Sequence, residues 1–65
     1  MNQIFAERLR AIREGAGWKR PKMVERVGVP IRTIEDWEAG KMTPPEYVQN
    51  LVLDRLLLEI EKEKN

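Results

Sequence analysis

The sequence predicts an all-α fold: a compact domain of four helices at about residues 2–14, 20–27, 31–38 and 45–62. Three observations predict it. Between breakers, apolar residues recur at three- and four-residue spacing. Glycines at 15, 17, 28 and 40 stand where these patterns stop. Prolines at 21 and 30 stand where the next ones begin.

In the first segment Ile4, Phe5, Leu9 and Ile12 keep helical spacing from Asn2, a suitable N-cap, to Glu14, and Gly15 and Gly17 end it. Trp18 follows. A large ring beside a helix start is expected to pack inward, with a role in surface contact as the competing reading. The second helix begins at Arg20, with Pro21 in the first turn where its missing N–H costs nothing, and ends at Gly28. Pro30 opens the third with a pre-set φ, and Gly40 closes it just past Trp37 and Glu38. Thr43-Pro44-Pro45-Glu46 matches a capping box in front of the fourth.

That last helix carries Tyr47, Val48, Leu51, Val52, Leu53, Leu56, Leu57, Leu58 and Ile60, more than one apolar stripe. If Val48, Leu51, Val52 and Leu58 fill the core, then Leu53, Leu57 and Ile60 are left over, and homodimerisation is the natural use for them. The competing reading places helix four in the middle of the domain and buries all of it.

A chain of 65 residues is read as one domain, 1–65, with 45–65 as C-terminal helix and dimerisation element. It buries only about 60% of its unfolded surface, so its stability margin is thin. Cysteine, histidine and serine are absent. Ser-His and Cys-His nucleophile pairs, thiol redox chemistry, zinc fingers and histidine bases are thereby excluded. No metal and no cofactor is implied. The N-terminus shows no basic region followed by an apolar run, and no stretch approaches the roughly 20 apolar residues that span a bilayer. A cytoplasmic protein with no membrane partner is expected.

Net charge is only +1, yet the halves differ. Residues 1–32 hold eight basic side chains (Arg8, Arg10, Arg13, Lys19, Arg20, Lys22, Arg26, Arg32) against three acidic ones, for +5. Residues 33–65 hold four against eight, for −4. A basic face near the N-terminal helices and an acidic one around the C-terminal helix would orient the domain on a polyanion. Alternating charges on surface helices also serve solubility alone.

The most informative stretch is Met23 to Gly40. Apolar residues at Met23, Val24 and Val27 stop at Gly28, and resume at Ile34 and Trp37 beyond Val29 and Pro30. Two short helices on such a turn outline a helix-turn-helix, in which the first braces the second and the exposed face of the second enters a DNA major groove. Recognition, not catalysis, is the expected function.

With Leu9, Ile12, Gly17 and Trp18, then Val24, Gly28, Val29, Thr33, Ile34, Trp37, Glu38 and Gly40, followed by Lys41 and Pro44, the chain resembles the Cro and phage-repressor type of helix-turn-helix, the Xre family. The resemblance covers nearly the whole length and implies a lambda-repressor-like fold. It implies that helix three reads DNA through Ile31, Arg32, Glu35 and Asp36. Arg32 suits guanine O6 and N7, Ile31 a thymine methyl, and Glu35 or Asp36 cytosine N4. The acidic pair has an alternative use, holding Arg32 or a lysine in place. The resemblance assigns phosphate contacts to Lys19, Arg20 and Lys22 at the start of helix two and to Lys41 after helix three. Relatives usually carry glutamine at the Arg20 position and a threonine or serine cap at that of Lys19, so here the cap is weaker and the charge greater. Arg13 and Glu38 match positions that pair as a partly buried salt bridge.

The leading expectation is a sequence-specific double-stranded DNA-binding regulator, a homodimeric repressor on half-sites roughly 34 Å apart. The alternative is a protein-interaction module: an antitoxin or regulatory subunit holding a partner protein, such as a toxin or another regulator, through its C-terminal helix. The acidic second half favours that alternative. An enzyme is not expected, since only carboxylates, lysines and one tyrosine remain and no glycine-rich phosphate loop is present. RNA binding has little support, because Phe5, Trp18, Trp37 and Tyr47 form no evident exposed stacking platform.

Overall fold

The computed structural model describes residues 3–64. Four helices account for most of them: α1 (Gln3–Gly15), α2 (Arg20–Val27), α3 (Ile31–Glu38) and α4 (Glu46–Lys64). The fold is all-α as expected. The bounds of α2 and α3 coincide with those read from the apolar spacing, while α4 begins at Glu46 and runs on to Lys64. Asn2, the expected cap of α1, lies outside the described residues.

Phe5, Leu9, Trp18, Met23, Ile34, Trp37, Val52 and Leu56 form the buried core, and each helix contributes at least one of them. α1 packs on α3 and α4, and α2 packs on the same two helices. Phe5 meets Trp37 edge-on at 5.5 Å between ring centroids, an arrangement that favours the ring quadrupoles. Trp18 is buried, as its position beside α2 predicts. Ile4 is not part of this core and stands 65% exposed. Phe5, Leu9 and Ile12 fall on one stripe of α1, and Ile4 is turned about 100° from Phe5, toward solvent.

The turn between α2 and α3 is Gly28 to Pro30. Gly28 takes φ 91°, in the left-handed region, and its N–H caps α2 by donating to the Val24 carbonyl. Pro30 then stands at the N-cap of α3, where its carbonyl accepts from the N–H groups of Thr33 and Ile34. Those two residues fix the entry of α3. Its inner face, Ile34 and Trp37, is buried, and Ile31, Arg32 and Glu35 remain outside.

Two expectations about α4 are corrected. The capping box predicted at Thr43 and Glu46 does not form. The first carbonyl to accept helical bonds is that of Pro45, from Val48 and Gln49, so Glu46 is the first helical residue and not the third that the box requires. The partition of apolar residues also differs. Val52 and Leu56 are buried with Val48 half-buried beside them, whereas Leu51 (63% exposed) and Leu58 (51%) face away with Tyr47. Successive steps of four residues place Val48, Val52 and Leu56 on the side that meets α1 and α2. Leu53 and Ile60, expected to be left over, pack partly against the edge of the core, and Leu57 is exposed. Among the described residues no helix is long and apolar enough to cross a membrane.

Candidate nucleic-acid interface

The outer face of α3 presents Ile31, Arg32 and Glu35 to solvent, with Asp36 half-buried beside them. At about 100° per residue the four occupy one continuous arc of the helix. None of Arg32, Glu35 and Asp36 forms an ion pair among the described residues. Arg32 therefore projects with its guanidinium uncommitted, and neither carboxylate holds it in place.

The four expected phosphate contacts divide into two kinds. Lys19 and Lys41 are exposed and unpaired among the described residues, Lys19 at the N-cap of α2 without a side-chain capping bond and Lys41 just past α3. Arg20 and Lys22 are engaged. Arg20 Nε donates to Glu38 Oε1 at 3.0 Å. Lys22 pairs with Glu63 and lies 5.1 Å above the Trp18 ring. A strip that charge alone marks as uniform is thus graded by what each cation already touches.

Behind this strip Arg13 and Glu38 meet. Arg13 Nε donates to Glu38 Oε2 at 2.7 Å and Nη2 to Oε1 at 3.0 Å, a two-pronged pair that joins the end of α1 to the end of α3. Arg13 Nη1 adds a bond to the Trp18 carbonyl at 2.8 Å. Both side chains are buried, so the pair gains from low local dielectric and from full hydrogen-bond satisfaction. Its effect is to hold α3 at a set position relative to α1 and the start of α2. An open cleft of about 430 Å³ lies between the end of α1, the start of α2 and the outer face of α3, lined by Arg13, Glu14, Lys19, Arg20, Ile31 and Glu35 among others.

A second network was not foreseen from the sequence. Arg26 Nε donates to Glu59 Oε1 and Nη1 to Glu63 Oε2, both at 3.3 Å, and the Trp18 indole N–H donates to Glu63 Oε1 at 3.0 Å. Arg55 and Lys62 also pair with Glu59. Burial raises the Glu59 pKa, but hydrogen bonds from Arg26 and Lys62 and the charges of Lys62 and Arg55 outweigh it and hold the carboxyl below its ordinary range. Glu63 is held low first by the hydrogen bond from Lys22, then by that from Trp18. The spacings of Arg55 and Lys62 from Glu59, four and three residues, were readable beforehand; Arg26 and Glu63 are 37 residues apart and meet because α2 packs on α4.

In comparison with known proteins, a family model described as a helix-turn-helix domain matches residues 4–58. No curated protein and no solved structure gives a match.

Proposed function

This chain belongs to the helix-turn-helix domain family, and from that premise we propose that it is a sequence-specific, double-stranded DNA-binding transcriptional regulator, a homodimeric repressor that inserts α3 in the major groove. The observation that carries the reading is the uncommitted Arg32 on the outer arc of α3, with Lys19 at the start of α2 and Lys41 just past α3 also exposed and unpaired among the described residues. In this reading Arg32 makes the two-pronged contact to guanine O6 and N7 and Ile31 packs on a thymine methyl. Glu35 and Asp36 complete the base-facing arc, where a carboxylate accepts from cytosine N4. Lys19 and Lys41, with Arg20, meet backbone phosphates and set the register, which carries no sequence information by itself. Lys22 contributes less, since Glu63 already neutralises it.

Dimerisation through α4 belongs to the same proposal. Tyr47, Leu51 and Leu58 share one exposed side of the helix, and Leu57 is exposed about 80° or more away from them, next to Leu53 and Ile60 at the edge of the core. The same surface supports a second reading, in which α4 holds a partner protein and the chain acts as an antitoxin or regulatory subunit. A cytoplasmic setting suits either.

The test is fluorescence anisotropy of labelled duplex from upstream of the chain's own gene, against a scrambled duplex, at low and moderate salt. Selective binding that weakens with salt supports the regulator, and the slope gives the number of phosphates engaged, at about 0.9 per phosphate. Equal weak binding to both duplexes favours the partner-binding module.

A further inference from the structure

The Glu38 carboxylate, with its side chain 1% exposed, accepts from two guanidinium groups. Arg13 spans both of its oxygens, at 2.7 and 3.0 Å, and Arg20 Nε adds a bond to Oε1 at 3.0 Å. One carboxylate neutralises one guanidinium. Arg13 is buried and makes the two-pronged pair, with the exposed Glu14 3.7 Å from its Nη2, while Arg20, the second cation on the Glu38 carboxylate, has a side chain 39% exposed.

The bond to Glu38 uses Arg20 Nε, and among the described residues no protein group is bonded to the Nη pair. A guanidinium bonded at Nε is restricted in the directions its far end can take. What remains free is a fork of Nη donors, the geometry that matches two phosphate oxygens. Arg20 also lines the open cleft together with Ile31 and Glu35 of α3 and Glu14 of α1, so the residue stands on the side of the molecule that carries the base-facing arc.

We propose that Glu38 is a positioning residue for backbone-phosphate recognition: by accepting from Arg20 Nε it aims the Nη fork at a phosphate of duplex DNA beside the groove that α3 enters. This rests on the DNA-binding reading above. The buried ion pair that holds the domain together and the contact that holds DNA then share one carboxylate. An untethered arginine or lysine at the same position would have to lose its rotamer freedom on binding, whereas here much of it is already lost in the free protein.

The discriminating substitution is Arg20→Lys, which keeps the charge and removes both the Nε tether and the fork. Wild type, R20K and R20A are titrated against a labelled mixed-sequence duplex over a range of salt, with thermal unfolding measured alongside. R20A is expected to lower the slope of log affinity against log salt by about 0.9, one phosphate. R20K is expected to keep the slope while binding all duplexes roughly two- to tenfold more weakly. Both variants should melt near the wild type, because Arg13 still neutralises Glu38.

R20K binding as tightly as the wild type would overturn the positioning role, and R20A with an unchanged slope would remove the phosphate contact itself. A large drop in melting temperature for either variant would recast the tether as structural and also count against the proposal. Failure of the wild type to bind any duplex at low salt is a separate result, which ends the DNA-binding reading and this inference together.

Discussion

Gly28 and Gly15 both lack a side chain, and only Gly28 stands in a conformation that needs the lack. Gly28 has φ 91° with no atom within 4 Å of an added Cβ, so Gly28→Ala meets only backbone strain, about 1–2 kcal/mol. Gly15 is helical, is not among the positive-φ glycines, and is equally open. Gly15→Ala is therefore expected to stabilise by about 0.4–1 kcal/mol, through the entropy of the unfolded chain. Urea unfolding of the two variants checks both signs at once. Glu38 is the residue on which most depends. Glu38→Gln leaves the buried Arg13 guanidinium with only the exposed Glu14 carboxylate, 3.7 Å away, as counter-charge, at a cost of about 3–5 kcal/mol. A domain of this length has on the order of 3–10 kcal/mol in total. The variant is expected to be largely unfolded or to melt far below the wild type, by circular dichroism, and an unchanged melting temperature would refute the assigned role of the pair.

Among the elements, α3 and α4 each divide their work between two faces. α3 secures itself with Ile34 and Trp37 and leaves the arc from Ile31 to Asp36 without structural duty. Arg32→Ala is accordingly expected to leave the melting temperature within a degree or two, as surface substitutions do, while reducing discrimination between duplexes by about 1–3 kcal/mol. An unchanged preference in the anisotropy assay would move the reading role elsewhere on the helix. α4 is apolar on both sides, the inner side filled by Val52 and Leu56 and the outer one formed by Tyr47, Leu51 and Leu58. Leu51→Glu with Leu58→Glu should spare the fold and abolish self-association. Sedimentation is expected to show a concentration-dependent dimer for the wild type and a monomer for the double variant. A wild type that stays monomeric at high concentration would leave this face to another partner.

For the molecule as a whole, the charge asymmetry of the sequence is partly cancelled by folding. Glu59 and Glu63 turn back onto Lys22, Arg26 and Trp18, so the acidic end of α4 seals the basic flank of α2. Among the described residues Lys19, Arg32 and Lys41 are left without an ion-pair partner, as is Arg8 on α1. Both carboxyls titrate below their ordinary range, Glu59 because its cationic partners outweigh its burial and Glu63 through Lys22 and Trp18. A carboxyl that holds its proton less readily in the folded state than in the unfolded one stabilises above the ordinary Glu pKa of about 4.3, and that contribution is lost as pH falls through the lower folded value. Thermal melts are expected to be flat from about pH 7 to 5 and to fall below about pH 4, and Glu63→Gln should flatten that acid limb. An acid limb as steep in the variant as in the wild type would show that Glu63 does not contribute.

Helix existence and type were legible because they follow from local chemistry. Apolar spacing, two prolines and the glycines at turns each act within a few residues, so the bounds of α2 and α3 could be read directly. The pairing of Arg13 with Glu38 came through resemblance and not from spacing. Which apolar residues of α4 face inward was not legible, since a helix apolar on both sides gives no preferred rotation until α1 and α2 select Val52 and Leu56 over Leu51 and Leu58. Nor was the fate of each cation: Lys19, Arg20 and Lys22 look alike in sequence, and one is left free, one is tethered by Glu38 and one is neutralised by Glu63. The sequence by itself determined that this is a four-helix domain with a helix-turn-helix and where α2 and α3 begin and end, because backbone preferences and periodicity are local; α1 runs one residue further, through Gly15, and α4 two residues further, to Lys64, than the sequence indicated. Only the tertiary structure decided which side of α4 is buried, because that depends on packing against α1 and α2, and which charges remain available, because that depends on carboxylates distant in sequence, such as Glu38 for Arg20, 18 positions away.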